Sequence, residues 1–343
     1  MSLQDRYSRQ TLFPSIGFDG QAKLQAARVT IVGLGALGSA SANHLVRAGV
    51  GHVHLIDRDF VEHSNLQRQM LYDEQDAHQR LPKAIAARNK LSAINSDVRL
   101  TADVIDLTWQ NSEQLLQNAD LIIDGSDNFT VRYLLNDISV KHKIPWIYGG
   151  AVSAHGSYFF IRPGITPCLT CLFPQPPEAG AGETCDTAGV IGPIIHVIAS
   201  YQVTEALKWL VGDINSLDNR YHHFDLWSNH HSSFSVQAKR NPICPTCVKH
   251  QYHHLQPNDT SADFVSLCGR NSIQFTPAKR PSLSLTEIAT KLAPVARLEQ
   301  NAFLLRADFG EHQLVIFPDG RILIQGTDDP ALARSFISKY IGY

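Results

Sequence analysis

Three groups of residues in this chain have types and spacings suited to chemistry. Gly33-Leu34-Gly35-Ala36-Leu37-Gly38 is a G-x-G-x-x-G turn, and Asp57 follows it at about the twenty-residue distance where an acidic group meets ribose hydroxyls. Glycines there let the backbone approach phosphates at a helix N-terminus, so the motif points to a nucleotide; a dinucleotide cofactor and ATP both use it. The second group is Ser64-Asn65-Leu66-Gln67-Arg68-Gln69, then Lys83 behind Pro82, then Asp127-Asn128. Attack on an α-phosphate creates charge that fixed Arg and Lys side chains stabilise and that a carboxylate-held magnesium shares. Arg68, Lys83 and Asp127 have those chemistries. Singly, each has a plainer reading: Arg68 and Lys83 as solvated surface charges, Asp127 as the N-cap of a helix beginning at Phe129. The third group is Cys168-Leu169-Thr170-Cys171 with Cys244-Pro245-Thr246-Cys247. Four thiolates in two Cys-x-x-Cys pairs suit a closed, structural zinc site that staples the long intervening loop to the end of the main domain.

These residues need a scaffold, and the hydrophobic pattern supplies one. A strand over Val29–Gly33, a helix over Leu37–Ala48 and a strand over Val53–Asp57 open the chain. A helix from near Pro82, strands at Val98–Val104 and Leu121–Asp124, and a helix around Asn111–Gln117 continue the alternation. The expected fold is therefore α/β, a Rossmann-like doubly wound and mostly parallel sheet. Phe129–His142 reads as helix and Trp146–Ala151 as strand, and Ser157–Ile161 alternates like an antiparallel strand added to the sheet. The stretch from Pro163 to Gly192 is rich in Pro and Gly and carries three of the six cysteines. Residues 1–255 are expected to form the nucleotide-binding domain with the zinc knuckles, 256–281 a linker region, and 282–343 a small α+β domain. In the last, Ser284 to Glu287 is a capping box, Asp319-Gly320 a hairpin turn, and Asp329-Pro330 the start of a helix reaching Tyr340.

Composition removes several function classes. With 43% hydrophobic residues in 343 and a formal net charge of -2, the chain has the apolar content of a folded protein and no electrostatic reason to bind nucleic acid or a membrane surface. Its first ten residues carry charges and no apolar core, so no secretory signal is expected and the location expected is cytoplasmic. The longest apolar stretch, Val190 to Val211, is interrupted by Pro193, His196, Gln202, Glu205 and Lys208 and reads as a buried helix, not a membrane span.

Taken together, Arg6 to Gln10, the glycine turn, Asp57-Arg58-Asp59, Ser64 to Gln69, Pro82-Lys83-Ala84 and Asp124 to Asn128 resemble the ThiF/MoeB/HesA adenylyltransferases, relatives of ubiquitin-activating enzymes. The resemblance implies ATP binding through Gly33, Gly35, Ala36 and Gly38, with ribose contact at Asp57 and a cofactor site that also includes Asp59, Ser64, Gln67 and Asn128. It implies phosphate contacts from Asn65, Arg68 and Lys83, and magnesium held by Asp127. Arg9 matches a residue that reaches the γ-phosphate in the neighbouring subunit's site, which implies a homodimer with shared active sites. The implied partner is a ubiquitin-like sulfur-carrier protein with a Gly-Gly C-terminus, of the thiamin or the molybdenum-cofactor pathway. The reaction implied is attack of its terminal carboxylate on the α-phosphate of ATP. No rhodanese-like domain follows the zinc motif, so the sulfur donor is expected to be a separate protein.

Cys185 matches the cysteine that some family members use for a covalent bond with the carrier. A thiolate there could take the adenylated carrier or join a later acyl-disulfide, while adenylation itself leaves an idle loop cysteine equally open. Cys268 is expected to be buried and structural. His222-His223, His230-His231 and His250 with His253-His254 read as surface or hydrogen-bonded groups. Two other functions compete: an NAD(P)-dependent oxidoreductase, which leaves Arg68, Lys83, Asp127 and the cysteines unexplained, and a non-catalytic scaffold for a ubiquitin-like partner, which predicts loss of phosphate-binding charges.

Overall fold

The computed structural model describes residues 6–176, 185–256, 264–267, 271–277 and 283–342. The described residues form two compact units, one built from 6–176 and 188–256, the other including 264–342.

In the first unit, strands β1 (Arg28–Val32), β2 (His52–Ile56), β3 (Arg99–Asp103), β4 (Leu121–Asp124), β5 (Trp146–Val152), β6 (His155–Ile161), β7 (Arg220–Asp225) and β8 (His230–Ser235) form one sheet in the order β3-β2-β1-β4-β5-β6-β7-β8. From β3 to β5 the pairing is parallel, and from β5 to β8 it is antiparallel. The parallel strands are short runs of Val, Ile and Leu because both faces are covered. On one face Val29, Ile31, Val53 and Leu55 pack under Leu45, Ala87, Leu91 and Val203 of three helices. On the other, Val32, Ile122 and Trp146 pack against Tyr133, Leu134 and Ile138 of helix Phe129–His142.

Helix Gly192–Val211 takes Pro193 in its first turn, where a missing N–H costs nothing, and ends at Gly212 with φ +88°. Its polar residues are used internally. Gln202 Nε2 donates to the carbonyls of Asp124 and Ile147, and Glu205 accepts from Lys208 Nζ and Asp218 N. Among the described residues no helix is long and apolar enough to cross a membrane.

The second unit is an antiparallel sheet of β9 (Phe264–Leu267), β10 (Ser272–Phe275), β11 (Arg297–Gln300), β12 (Leu305–Asp308), β13 (Gln313–Ile316) and β14 (Ile322–Gln325), ordered β11-β12-β13-β14-β10-β9. Helices Leu285–Leu292 and Pro330–Tyr340 cover one face through Leu285, Leu292, Ala333 and Ile337. Ser284 and Asp329 cap them, accepting from Glu287 N and Ala331 N. β9 and β10 fall within the stretch expected to be a linker. They are brief runs among Pro, Gly, Asn and Asp, and pairing of β10 with β14, and of β9 with β10, fixes them as strands. Cys268 lies outside the described residues.

Candidate functional site at the carboxyl edge of the parallel strands

The glycine turn follows β1, and its three glycines do different work. Gly33 has φ +85°, and a Cβ there would stand 2.7 Å from the Gly125 carbonyl group. A Cβ on Gly38 would meet Gly33 O at 1.8 Å, and one on Gly125 would meet Gly33 O at 2.4 Å. Gly33, Gly38 and Gly125 therefore form a backbone-on-backbone contact that joins the end of β1 to the end of β4. Gly35 differs: its missing Cβ would have only Gln69 Nε2, at 3.8 Å, as a neighbour. Protein packing does not demand glycine at that position. Gly35 is also the N-cap of helix Ala36–Ala48, so the helix's first N–H groups face the same opening. Ala36 begins that helix.

Asp57, directly after β2, is tied to this turn. One carboxylate oxygen accepts from Leu34 N at 2.6 Å and the other from Asp59 N at 2.6 Å. Burial raises its pKa, Lys83 pulls it back, and Asp59 adds to the rise. Tyr72 closes the rear of the turn by donating its hydroxyl to Leu34 O at 2.7 Å. Lys83 opens helix Lys83–Ile94 and is 4% exposed, so it is no surface charge. Its Nζ donates to Asp59 Oδ2 at 3.3 Å, a contact that holds the ammonium at the edge.

The Ser64 to Gln69 segment is a 3-10 turn and the loop after it. Asn65 is buried and locks the turn, accepting from Glu62 N at 3.1 Å. Ser64 is exposed, and its carbonyl accepts from Arg68 Nη1 at 2.9 Å, which leaves the half-buried guanidinium beside the turn. Gln67 Nε2 reaches Val190 O at 3.4 Å. Gln69 is 4% exposed and its Oε1 makes no hydrogen bond among the described residues. A buried amide oxygen in that condition lacks the donor it needs.

Asp127 is exposed at the end of the β4 loop. The helix that follows is capped by Asn128, whose side chain accepts from Thr130 N at 2.7 Å, so capping is not the role of Asp127. The loop is clamped from below by Arg132, which sequence reasoning did not single out. Its Nε donates to Asp124 Oδ2 at 3.0 Å, and its Nη2 donates to the carbonyls of Ser126 and Gly149 at 2.9 and 2.8 Å. The guanidinium also lies over the rings of Phe129 and Tyr148. Burial opposes this charge, but Asp124 more than offsets it and the Arg132 pKa is raised. The only sequence signal was an Arg five residues beyond Asp127 on an expected buried helix, a position where a lone charge needs a partner.

Arg9 does not belong to this edge. Gln10 donates to Ala48 O, and the Tyr7 hydroxyl accepts from Asn95 Nδ2 while its ring packs on Gly49. The N-terminal helix thus sits at the C-terminal end of helix Ala36–Ala48, roughly 18 Å along the helix from the glycine turn at 1.5 Å per residue. An arginine side chain cannot span that distance. Cys185 starts the short helix Cys185–Ala188, and its side chain lies outside the described residues.

Farther along the same edge is a cavity of about 490 Å³ lined by Ser153, His155, Val190, Ile191, Asp225 and Trp227. The histidine pairs behind it fall on β7 and β8, which hydrophobic periodicity did not mark as strands. His222 is buried, bonded to Asp218 Oδ2 at 3.0 Å and His231 Nε2 at 3.1 Å. His223 Nδ1 is 3.1 Å from Ser157 Oγ.

The four cysteines of the two knuckles meet. Cys168 lies 3.8 Å from Cys171 and 3.7 Å from Cys244, and Cys171 lies 3.5 Å from Cys247, all sulfur to sulfur. Four sulfurs at about 2.3 Å from one tetrahedral zinc stand about 3.8 Å apart, so the set fits that ion. Contacts with Cys171 and Cys247 push the Cys168 thiol up, and contacts with Cys168 and Cys247 pull Cys171 down. The threonines inside the knuckles bond to each other, Thr170 Oγ1 to Thr246 Oγ1 at 3.2 Å. Helix Phe129–His142 ties both knuckles down: Asn136 accepts from Leu169 N, and Asp137 accepts from Thr246 Oγ1 and His254 N.

The ThiF family matches residues 7–246 of the chain. The sulfur carrier protein ThiS adenylyltransferase of Bacillus subtilis (strain 168) is 44% identical over 98% of this chain and 99% of its own length. The sulfur carrier protein adenylyltransferase of Thermus thermophilus is 41% identical over 71% of this chain and 90% of its own. Among solved structures, E. coli MccB with MccA-N7isoASN superposes with a TM-score of 0.63 at 22% identity, covering 72% of this chain and 75% of that one. This last likeness concerns the fold.

Proposed function

This chain belongs to the ThiF family and is an adenylyltransferase; on that footing we propose that it uses ATP to adenylate the C-terminal glycine of a ubiquitin-like sulfur-carrier protein, releasing pyrophosphate. The observation that carries the reading is the opening at Gly35: a glycine that the protein's own packing does not require, at a helix N-terminus, beside the buried Lys83 and the turn bearing Arg68. An oxidoreductase has no use for those cations, and a scaffold would have no reason to retain them.

The carrier's carboxylate is already ionised at neutral pH, so the step needs alignment and charge neutralisation, with no general base. Backbone N–H groups of the turn take the phosphates, and Asp57 accepts from the ribose with lone pairs left by Leu34 N and Asp59 N. Asn65, Arg68 and Lys83 hold the polyphosphate, Lys83 shifting from Asp59 onto phosphate. Asp59, Ser64, Gln67 and Asn128 complete the rim. Asp127 would hold magnesium, which shares the negative charge that develops on the pyrophosphate as the carrier oxygen bonds to the α-phosphorus and the bond to the leaving oxygen breaks.

Arg9, beside the end of helix Ala36–Ala48 that lies away from the glycine turn, serves the site of a second copy, which makes the working unit a homodimer. The four cysteines hold zinc as a structural clasp, and cysteines grouped without disulfide bridges suit the reducing cytoplasm. Full-length similarity to an enzyme named for ThiS favours the thiamin carrier over the molybdenum-cofactor carrier. Sulfur comes from a separate donor protein, with Cys185 available for a covalent bond to the carrier.

ATP–pyrophosphate exchange with each purified carrier tests this reading. Exchange that requires the carrier's last glycine and Asp127 supports it; no exchange with any carrier sinks it.

A further inference from the structure

Arg58 is a cation set among the carboxylates that follow β2, β3 and β4, and the adenylation step as derived does not involve it. It directly follows Asp57. Its Nη1 donates to Asp106 Oδ1 at 3.1 Å and its Nε lies 3.7 Å from Asp59 Oδ1, and the side chain is 24% exposed. Burial opposes its charge, but Asp106, Asp59, Asp127 and Asp57 together raise its pKa. Ile105 and Leu107, on either side of Asp106, pack in one cluster with Val32 of β1 and Ile122 of β4, so the bond to Asp106 holds the guanidinium in the crevice between the β2 and β4 loops.

That crevice is where a base must go. The polyphosphate occupies the helix N-terminus at Gly35 and the ribose meets Asp57, so the next part of the nucleotide extends past Asp57, between the two loops. Carboxylates bind a guanidinium at its edge and in its plane, so Asp106 and Asp59 fix the orientation of the plane through its rim. A planar cation held in this way offers a π-face to a purine. We propose that Arg58 stacks on the adenine ring of ATP and so determines how tightly the base, as distinct from the triphosphate, is held; this rests on the adenylation reading above.

The test compares ATP with inorganic tripolyphosphate, which has neither base nor ribose, by calorimetry on the wild-type protein and on Arg58→Ala, Arg58→Lys and Arg58→Phe. Stacking on one base predicts about a tenfold weaker Kd for ATP in Arg58→Ala. The tripolyphosphate Kd stays unchanged. Arg58→Phe, flat but uncharged, restores ATP binding to within about threefold of wild type, and Arg58→Lys, charged but not flat, does not. A charge-balancing role gives the reverse order, with Lys rescuing and Phe failing, and would overturn the proposal. Equal weakening of both ligands would overturn it too, because it would place Arg58 on the phosphates. Failure of the wild-type protein to bind ATP at all would instead overturn the adenylation reading. The Phe and Lys variants are compared with each other at matched unfolding temperature, so a fold defect in Arg58→Ala leaves the outcome decisive.

Discussion

Adding one methyl group at either of two glycines, three residues apart, should have opposite consequences. In Gly38→Ala the new carbon would lie 1.8 Å from Gly33 O and 2.8 Å from Gly33 C, both backbone atoms. No rotamer change relieves that overlap, so the end of β1 must move away from the helix. Overpacking of this kind costs about 3 kcal/mol or more, which lowers the unfolding temperature by roughly 6–12 °C. In Gly35→Ala the new carbon meets only Gln69 Nε2 at 3.8 Å, an ordinary contact. Its stability cost is the N-cap exchange, about 1 kcal/mol. The methyl does, however, occupy the space through which a phosphate reaches the backbone N–H groups. Loss of one or two charge-assisted hydrogen bonds, each about 1.5–3 kcal/mol, weakens ATP binding on the order of 10-fold to 10,000-fold. Differential scanning calorimetry and ATP titration on the two variants separate the effects. A well-folded Gly35→Ala protein that binds ATP within about threefold of wild type would refute the assignment of that opening to phosphate.

Four further outcomes follow from the same geometry. Asp127→Asn should keep its unfolding temperature, because Asn128 is the helix cap, and should lose ATP–pyrophosphate exchange by about 100-fold or more, measured across a magnesium titration. Mixing Arg9→Ala with Asp127→Asn subunits should recover about a quarter of wild-type exchange, since half the dimers are mixed and each holds one intact site; no recovery would place Arg9 outside the partner's site. Cys168→Ser should drop zinc content by elemental analysis from one per chain towards none, with the unfolding temperature lower by roughly 10 °C. Arg132→Met leaves the fully buried Asp124 without its cation and should destabilise the first unit by about 3–5 kcal/mol in urea titration, whereas Arg132→Lys recovers part of that loss.

The alternation of strands and helices was legible because both covering layers demand apolar runs with clear periods; helix Phe129–His142 falls where its pattern placed it, and helix Pro330–Tyr340 where its cap and proline did. Strands β7 and β8 were not legible. Their sequences, Arg220 to Asp225 and His230 to Ser235, mix single aromatic residues with paired histidines and serines, and stacking such as Tyr158 on His222 and Phe224 on His231 supports them. That pairing is invisible to a hydrophobicity pattern. The glycine turn and the two cysteine pairs were readable as motifs because their spacing is local. Gly125 and Arg132 were not, since each matters only through a contact made by the folded chain: Gly125 against Gly33, and Arg132 against Asp124 and Gly149.

The contact between Gly33 and Gly125 has a consequence for how the chain reaches its native state. β1 and β4 are neighbours in the sheet but are separated in sequence by β2, β3 and the helices between them. The first strand, turn and helix can form early from local contacts. The anion cradle closes only when β4 docks and brings Gly125 and the Asp127 loop beside it, a non-local event with a high loop-closure cost. A chain that has folded only its first half therefore has a phosphate motif and no competent site. Saturating ATP should add to the stability of the completed sheet by mass action while leaving the early half unaffected, so nucleotide would slow unfolding of the first unit more than it speeds its folding.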